Sequence, residues 1–412
     1  MKKDIILTTA VRIFIMLLGF LATVVTARYL GPQGRGDYYF ITTLAGLIAQ
    51  FSNLGLQSSN TYFVARDRSL FGSLFANSFW VSVLIGAGSA AAIALFLRST
   101  HAASDPVYGS YVWYAVLLAP AMLFFVLGTN LLVGVNNIGK FNAFQVLGNL
   151  LTFFLYMAAA WGKWGVQGFL AGSTAAWLAT STLLFFFLYR TSNASLGFSA
   201  NTFRTGFGYA SKAYLTTLLG FLILKSNVFL LRSLTDAAQV GYFSVASQLA
   251  DVLGILPASA ALVLFPNLVS ETERSWQITV KNAVLVGAIM LAGCIIAGAL
   301  FKPFVRIAFG EQYLPACPIF YCMLPGVLAL SVITILSQYI AAAGFPKMLV
   351  AIWLVSFAAV SVSGWLLIPV LSGMGAAVSL SIAYGLLLVM IFLLATRLEA
   401  RRKIAAMAYA AA

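Results

Sequence analysis

The sequence predicts an all-α integral membrane protein in which about twelve transmembrane helices form two six-helix lobes. Three observations predict this class: an apolar composition, repeated apolar runs of membrane length, and a pattern that recurs halfway along the chain. Of the 412 residues, 62% are hydrophobic and 8% are charged, whereas roughly a quarter of the residues in an average soluble domain are charged. So few charged residues cannot cover the surface of a soluble protein of this length.

The apolar runs have the length of transmembrane helices. An α-helix rises about 1.5 Å per residue, so about 20 residues cross the roughly 30 Å of hydrocarbon in a bilayer. The strands of a membrane β-barrel are about half as long and alternate in polarity, which these runs do not. The predicted helices are Ile5–Ala27, Tyr38–Leu56, Ser73–Leu97, Val112–Val133, Phe141–Trp161, Val166–Leu188, Tyr209–Leu231, Val240–Leu264, Ile278–Leu300, Ile319–Ala342, Leu349–Leu371 and Ala376–Ala395.

The basic residues are distributed unevenly between the two sides of the membrane, which gives the net charge of +14 a topological meaning. Cytoplasmic loops are enriched in Lys and Arg. With the N-terminus inside, the cytoplasmic segments hold Lys2, Lys3, Arg66, Arg68, Lys140, Arg190, Arg204, Arg274, Lys281, Lys347, Arg397, Arg401, Arg402 and Lys403, and the outside loops hold Arg28, Arg35, Arg98, Lys163, Arg232, Lys302 and Arg306. Both termini are therefore predicted to be cytoplasmic, and no nucleic-acid partner is predicted.

Four pairs of residues recur at a nearly constant separation, close to half the chain length. Arg28 and Arg232 are 204 apart, Gly36 and Gly241 are 205 apart, and both Lys140 with Lys347 and Gly168 with Gly375 are 207 apart. Because each half has an even number of helices, both enter the membrane in the same orientation, related by a pseudo-two-fold axis along the membrane normal. The predicted domains are an N-terminal lobe (1–190), a cytoplasmic linker (191–207), a C-terminal lobe (208–396) and a basic cytoplasmic tail (397–412).

Polar residues follow one face of the second predicted helix, at steps of three and four residues. The stripe contains Gly36, Tyr39, Thr43, Gly46, Gln50, Asn53, Gln57 and Asn60, and the eighth helix carries Gly241, Ser244, Gln248 and Asp251. One interpretation is that both faces line a hydrated cavity between the lobes, where Gln50, Asn53 and Gln57 bind substrate. The other is ordinary helix packing through small and hydrogen-bonding residues.

Three basic residues and one acidic residue fall inside predicted helices: Arg12, Lys212, Lys225 and Asp251. Charged side chains at membrane depth are costly unless they are paired, hydrated or able to snorkel, so they are candidate site residues. Arg12 and Lys225 are predicted to bind an anionic substrate, because guanidinium and ammonium groups bind phosphate. Asp251 is predicted to couple transport to an ion; the alternative is a structural ion pair with Arg12 or Lys225. Lys225 also has the snorkelling alternative.

Cysteine and histidine offer no framework for a cofactor. Cys294, Cys317 and Cys322 lie in or beside membrane helices, and the single histidine, His101, lies in a short loop. No disulfide or zinc pattern can be assembled from them. No cofactor is predicted apart from a coupling ion, H⁺ or Na⁺.

Several short segments resemble the polysaccharide flippases, the lipid-linked repeat-unit (Wzx-type) flippases of the multidrug/oligosaccharidyl-lipid/polysaccharide (MOP) exporter superfamily. The resemblance spans essentially the whole chain, through loose hydrophobic patterns. The segments that carry it are Ala27–Pro32, Gly36–Phe40, Asn53–Leu56, Gly139–Lys140, Val240–Ala246, Leu256–Pro257, Phe265–Pro266 and Gly310–Tyr313.

The resemblance implies a V-shaped bundle in the bacterial inner membrane that moves an undecaprenyl-pyrophosphate-linked oligosaccharide between leaflets by alternating access. A polysaccharide polymerase and a chain-length regulator are the implied protein partners, beside membrane lipids. No phosphate loop for ATP is present, so an ion gradient is expected to drive transport. The alternatives are a multidrug exporter of the same superfamily, a membrane polymerase or ligase of the same pathway, and a scaffold that transports nothing.

Overall fold

The computed structural model is mostly helical. It describes residues 2–101, 105–192, 196–270, 274–342 and 348–411, without the side chains of 2–9, 209, 211–213, 262, 266–267, 269–270 and 405–411. It divides into two compact units, Met1–Phe221 and Leu222–Ala412. The α-helices are α1 (Lys2–Ser52), α2 (Leu56–Arg66), α3 (Phe71–Trp80), α4 (Ala87–Thr100), α5 (Val112–Gly134), α6 (Ile138–Trp161), α7 (Gly165–Ser192), α8 (Ala200–Leu234), α9 (Ala237–Leu253), α10 (Ile255–Ser270), α11 (Ser275–Ala308), α12 (Ala316–Ala342), α13 (Met348–Leu371) and α14 (Gly373–Ala411).

Within the described residues, 11 helical stretches are long and apolar enough to cross a membrane. The first of them covers Ala10–Ser52, 43 residues, and a straight helix of that length would measure about 65 Å, twice the hydrocarbon thickness. Gly31 interrupts it with non-helical dihedral angles (φ 65°, ψ 178°). Each side of Gly31 is long enough for one crossing, so the 11 stretches of the described residues provide length for the about twelve crossings that the sequence predicts.

The loop predicted between the first two helices is wrong, because α1 continues through this region with a single kink. Glycine adopts positive φ without steric cost, and Pro32 has the fixed φ that suits the first residue of a new helix. Arg28 and Arg35 therefore lie in helix. The second predicted helix also ends differently: Leu54 (φ 51°) and Gly55 (φ 78°) break it, and α2 follows where a loop was expected.

Two more predicted helices depart from a regular α-helix. Between α3 and α4 the chain forms one π-helical turn, Val81–Gly86, so the third crossing is continuous but widened. The eighth predicted helix is divided at Gly254 into α9 and α10. Pro257 explains the second break, because it has no N–H to donate to the carbonyl four residues earlier, and its ring clashes with that carbonyl.

The N-terminal unit has an aromatic core near the ends of α2, α3, α5 and α7. Its buried members include Phe75, Phe124, Phe125 and Leu184. Phe185 packs against this group, with its ring 5.5 Å from that of Phe75 and 5.0 Å from that of Phe79. Burying such rings contributes both apolar area and favourable ring geometry, which makes this end of the unit well packed.

The C-terminal unit has an aliphatic core around α12 and α14. Ile333, Leu336, Leu387 and Ile391 are among its fully buried members. The segment predicted as a separate basic tail continues α14 up to Ala411. It is attached to the unit by hydrogen bonds from Tyr339 to Glu399 (2.9 Å) and from Arg402 to Ser275 (2.8 Å).

The division between the units lies inside α8, at Phe221/Leu222, and the lobe boundaries at residues 190 and 208 stay a prediction. The internal duplication also stays a prediction, and Lys347, one of its paired residues, lies outside the described residues. One structural feature recurs at the predicted spacing. Gly165 (φ 61°) and Ser372 (φ 49°) both have positive φ just before the last crossing of their unit, and their separation, 372 − 165 = 207, equals that of Gly168 and Gly375.

Candidate functional site

The C-terminal unit contains a cavity of about 110 Å³ among α8, α9, α10, α12 and α14. Its polar lining consists of Asp251 and Ser247 from α9, Ser331 and Thr334 from α12, and Tyr384 from α14. The apolar walls come from the aliphatic core, including Leu330 and Leu380. The Asp251 side chain is exposed, so its carboxylate meets the cavity rather than closely packed protein.

The hydroxyl groups of α12 present oxygen lone pairs to this cavity. Ser331 donates its proton to the carbonyl of Val327, and Thr334 donates its proton to the carbonyl of Leu330, both at 2.7 Å. A hydroxyl whose proton is used in this way acts as an acceptor toward anything else. Together with the Asp251 carboxylate, these oxygens suit a cation or a proton donor.

Asp251 lies one turn before the break between α9 and α10. Its backbone carbonyl accepts a hydrogen bond from Gly254 at 3.1 Å, a tighter turn than that of an α-helix. Interrupted membrane helices are where transporters often hold substrate and coupling ions, since the break leaves backbone groups available. The local sequence, a carboxylate followed by Gly254 and Pro257, places the charge at such a break.

Lys225 of α8 lies within electrostatic reach of the Asp251 carboxylate. Tyr384 also interacts electrostatically with Asp251. The structure thus brings together two of the three predicted ionisable residues. Of the two ion-pair partners that the sequence left open for Asp251, Lys225 lies in the same unit and within electrostatic reach.

Arg12 lies on α1 of the N-terminal unit, with its side chain exposed. The neighbouring Ile13 and Phe14 are exposed as well, by 50% and 43%. This part of α1 therefore presents a mixed apolar and cationic surface. The side chain of Lys212 lies outside the described residues.

The three polar residues predicted to bind substrate have different environments. Gln50 has a buried Nε2 atom without a hydrogen-bond partner among the described residues, so it can donate to a ligand. Asn53 is buried, and its Oδ1 accepts a hydrogen bond from the backbone N–H of Gln57 at 3.1 Å. That contact connects the two sides of the break between α1 and α2, whereas the side chain of Gln57 is half-buried.

Two other members of the predicted polar stripe are packing residues. Thr43 is buried, and Asn60 is buried and donates to the Ser78 hydroxyl (2.8 Å) and to the Leu127 carbonyl (3.2 Å). The break at Leu54 and Gly55 separates Asn60 from the helix that carries most of the stripe. Of the two interpretations of the stripe, ordinary helix packing accounts for Asn60.

Sequence reasoning missed Arg35, which it placed in an outside loop. Arg35 is 4% exposed. It donates to the Thr26 hydroxyl across the Gly31 kink, and its guanidinium carbon lies 5.4 Å from the Tyr38 ring centroid. Tyr38 in turn shares a short hydrogen bond with Tyr156 of α6, and Ser173 of α7 also bonds Tyr156. We name these five residues the kink cluster: Thr26, Arg35, Tyr38, Tyr156 and Ser173.

Metal-binding side chains are not grouped in the part of the chain that the structure describes: it has no cluster of three or more His, Cys, Asp or Glu suited to a metal ion.

The kink cluster and the cavity at Asp251 differ in chemistry. The kink cluster encloses a cation in hydroxyl groups and aromatic rings. The cavity at Asp251 presents a carboxylate and hydroxyl oxygens beside an ammonium group.

Comparison with protein families gives one match. The model of a family described as "Polysaccharide biosynthesis protein" matches residues 1–273. No curated protein sequence matches the chain significantly.

Comparison with solved structures shows the fold. A multidrug resistance MATE family transporter of the MOP superfamily, in an inward-facing conformation, is similar with a TM-score of 0.76 and 16% identity, covering 94% of this chain and 96% of that one. The lipid II flippase MurJ, in an inward closed conformation, gives 0.78 and 14%, covering 94% and 87%. A MOP superfamily transporter from Pyrococcus furiosus gives 0.66 and 15%, covering 95% and 93%.

Proposed function

We propose that this chain, which belongs to the polysaccharide biosynthesis protein family and has the fold of the MOP superfamily transporters, is a flippase for a lipid-linked oligosaccharide. The family match over residues 1–273 carries this proposal. The substrate would be an undecaprenyl-pyrophosphate-linked oligosaccharide, moved from the inner to the outer leaflet of the bacterial inner membrane. A polymerase and a chain-length regulator would act on the product and are the protein partners that we expect.

The chemistry of such a substrate matches the charged groups of the membrane helices. A pyrophosphate with its sugars cannot cross hydrocarbon unaided, because moving a charged group out of water costs many kcal/mol. Basic side chains along the path lower that barrier, and exposed Arg12 and half-buried Lys225 are the candidates. Gln50, with a free buried donor, would bind an oxygen of the sugars or of the phosphate.

The cavity at Asp251 would couple the movement to an ion gradient. A proton or a sodium ion that enters the cavity competes with Lys225 for the carboxylate, so ion binding and the release of Lys225 become linked. Released Lys225 can then bind the pyrophosphate. This linkage supplies a physical route from an ion gradient to substrate affinity, in the sense that each ligand changes the affinity for the other.

The alternatives differ in the chemistry they require. A drug exporter that selects cations would need several carboxylates at membrane depth, and Asp251 is the one that the sequence places there. A polymerase or ligase would need a group of catalytic side chains. The groups described above, a lone carboxylate with hydroxyl groups in one unit and an enclosed guanidinium in the other, are better suited to binding and ion coupling.

The test is surface polysaccharide in a strain that lacks its own flippase. We expect Arg12→Lys to impair transport although charge is kept, because Lys cannot bind two phosphate oxygens in the bidentate manner of Arg. Lys225→Ala and Asp251→Asn should also reduce the polysaccharide, at normal protein abundance. The matched control is Asp236→Asn, the same chemical change on the same helix: Asp236 caps α9 through the N–H of Gln239 at 2.9 Å, and Asn caps equally well.

Two results would contradict the proposal. Wild-type polysaccharide from all three variants at normal abundance would remove the charged site. Normal polysaccharide in a strain from which this gene is deleted, without another flippase, would remove the flippase function itself.

A further inference from the structure

The N-terminal unit has a second, larger cavity that the proposed transport function does not use. It measures about 720 Å³ and is lined by residues at the start of α3, the end of α5, the start of α6 and the end of α7. Small-molecule sites are typically roughly 300–1,000 Å³, so this one has the size of a ligand site. It lies where membrane helices begin and end, which is the depth of lipid headgroups.

The lining combines one cation, several hydroxyl groups and an apolar wall. Arg68 is the charged residue of the lining; Ser69, Ser73 and Thr191 supply hydroxyl groups, and Phe71 and Leu132 belong to the aromatic core. No carboxylate is among the described lining residues. Asp67, the adjacent acid, is occupied in capping the N–H and the hydroxyl of Ser69, at 2.9 and 2.7 Å.

A second cation lies beside the cavity. The Nζ atom of Lys140 is 5.5 Å from the ring centroid of Phe187, and Phe187 lines the cavity. Two positive charges near a lining without a carboxylate favour an anion. Because the lining also contains apolar side chains such as Phe71 and Leu132, the anion should be joined to an apolar part, as the phosphate group of a lipid is.

The cavity also touches residues 196–199, which precede α8 and are called the connecting segment below. Thr191 and Ser192 at the end of α7 and Gly197 of the connecting segment line it. The following residues are bound to α3: Asn77 donates to the Ser199 carbonyl (2.9 Å) and accepts from its N–H (2.8 Å), and Trp80 donates to the Leu196 carbonyl (2.7 Å). A ligand held by Arg68 would therefore lie between the start of α3 and a connecting segment that is already attached to α3.

We propose that this cavity binds the phosphate group of an anionic membrane amphiphile and that the bound molecule holds the connecting segment against α3. Arg68 binds the phosphate oxygens, the hydroxyl groups of Ser69, Ser73 and Thr191 bind the remaining polar atoms, and the acyl chain lies against Phe71 and Leu132. The site is separate from Arg12, Lys225 and Asp251, so it does not depend on the proposed transport function.

Binding of phosphatidylglycerol to the purified, delipidated full chain tests this site, with native mass spectrometry to count retained lipid. We expect Arg68→Ala to bind about tenfold more weakly than wild type, because a charge-assisted hydrogen bond to phosphate is lost. Arg397→Ala, which removes an exposed Arg in the other unit, should bind as wild type does. Thr191→Trp keeps Arg68 but fills the cavity, so it should also lose the lipid, and it carries the test if Arg68→Ala does not fold.

Hydrogen exchange of residues 196–199 tests the effect on the connecting segment. Phosphatidylglycerol should slow exchange there in wild type and not in Arg68→Ala, whereas phosphatidylcholine should have no effect. Equal binding by the Arg68→Ala and Arg397→Ala variants would overturn the site. Unchanged exchange in lipid-bound wild type would overturn the effect on the segment, and equal protection by inorganic pyrophosphate would overturn the membrane source of the ligand.

Discussion

The kink cluster and the cavity at Asp251 place charges in the membrane helices in opposite ways. Arg35 is enclosed, with a hydroxyl acceptor on Thr26 and the ring faces of Tyr38 and Tyr39 beside it. Asp251 is exposed to a cavity and has Lys225 and Tyr384 within electrostatic reach. An enclosed charge stabilises one conformation, because any movement would separate the charge from its partners while it remains out of water. A charge that meets a cavity can exchange partners, which ion coupling requires.

The difference has a structural origin. The kink cluster draws on α1, α6 and α7, and its hydrogen bond from Arg35 to Thr26 crosses Gly31. The conformation of the kink therefore depends on packing from two other helices. Asp251 instead lies at the break between α9 and α10, where the backbone ladder is already interrupted. We infer that the first region is the more rigid of the two, and the proposed function would place the change during transport in the second.

The largest expected effect is that of Arg35→Ala. The substitution leaves the Thr26 hydroxyl and the tyrosine cluster without their cation, and a hydrogen bond to a charged group contributes about 1.5–3 kcal/mol. We expect a lower thermal midpoint in detergent and lower abundance in the membrane. Arg28→Ala, which removes an exposed Arg from the same helix, is the control and should have a near-wild-type midpoint; equal midpoints for the two variants would show that Arg35 is not enclosed.

A smaller effect on stability is expected at the cavity. Asp251→Asn should change the free energy of unfolding by about 1 kcal/mol or less, because the attraction of Lys225 and the desolvation of the carboxylate act in opposite directions. A double-mutant cycle of Asp251→Asn with Lys225→Met measures the coupling between the two groups directly. A stability loss as large as that of Arg35→Ala would mean that Asp251 is a structural ion-pair partner and would remove the contrast between the two regions.

The sequence predicted the number of crossings, because apolar length is sufficient for that. It predicted a break between the first two helices, within which Gly31 lies, but as a polar loop rather than a kink of one residue. The break at Leu54 involves a non-glycine residue with positive φ and was missed. Pro257 was visible in the sequence, yet a proline in a membrane helix does not always interrupt it, and the break at Gly254 was missed.

The candidate site could be predicted in part, because the apolar runs that identify the crossings also show which charged residues lie inside them. Depth within an apolar run identified Arg12, Lys225 and Asp251, and two of these lie together on α8 and α9. Arg35 was missed because its partner Tyr38 reaches a tyrosine 118 residues away in the sequence, and such a contact depends on tertiary packing. The role of Asn60 was missed for the same reason, since its partners lie on α3 and α5.

The smallest expected effect is that of protonating Asp67. This carboxylate is exposed, and it serves as a reference with which the enclosed Arg35 and the cavity-facing Asp251 can be compared. Hydrogen bonds from the Ser69 side chain and backbone hold the pKa of Asp67 below its ordinary value. Because the folded pKa is depressed, the stabilisation is present above the unfolded pKa of about 3.9 and is lost as the pH falls through the lower folded pKa. We expect the protection of the Ser69 and Leu70 amides, measured as observed exchange relative to the intrinsic rate at each pH, to fall slightly as the pH drops below about 4. Asp67→Asn, which caps without titrating, should remove this dependence. If protection in the Asn variant keeps the same pH dependence, the capping contact does not exist in solution, and the exposed reference for comparing Arg35 with Asp251 would have to be sought at another carboxylate.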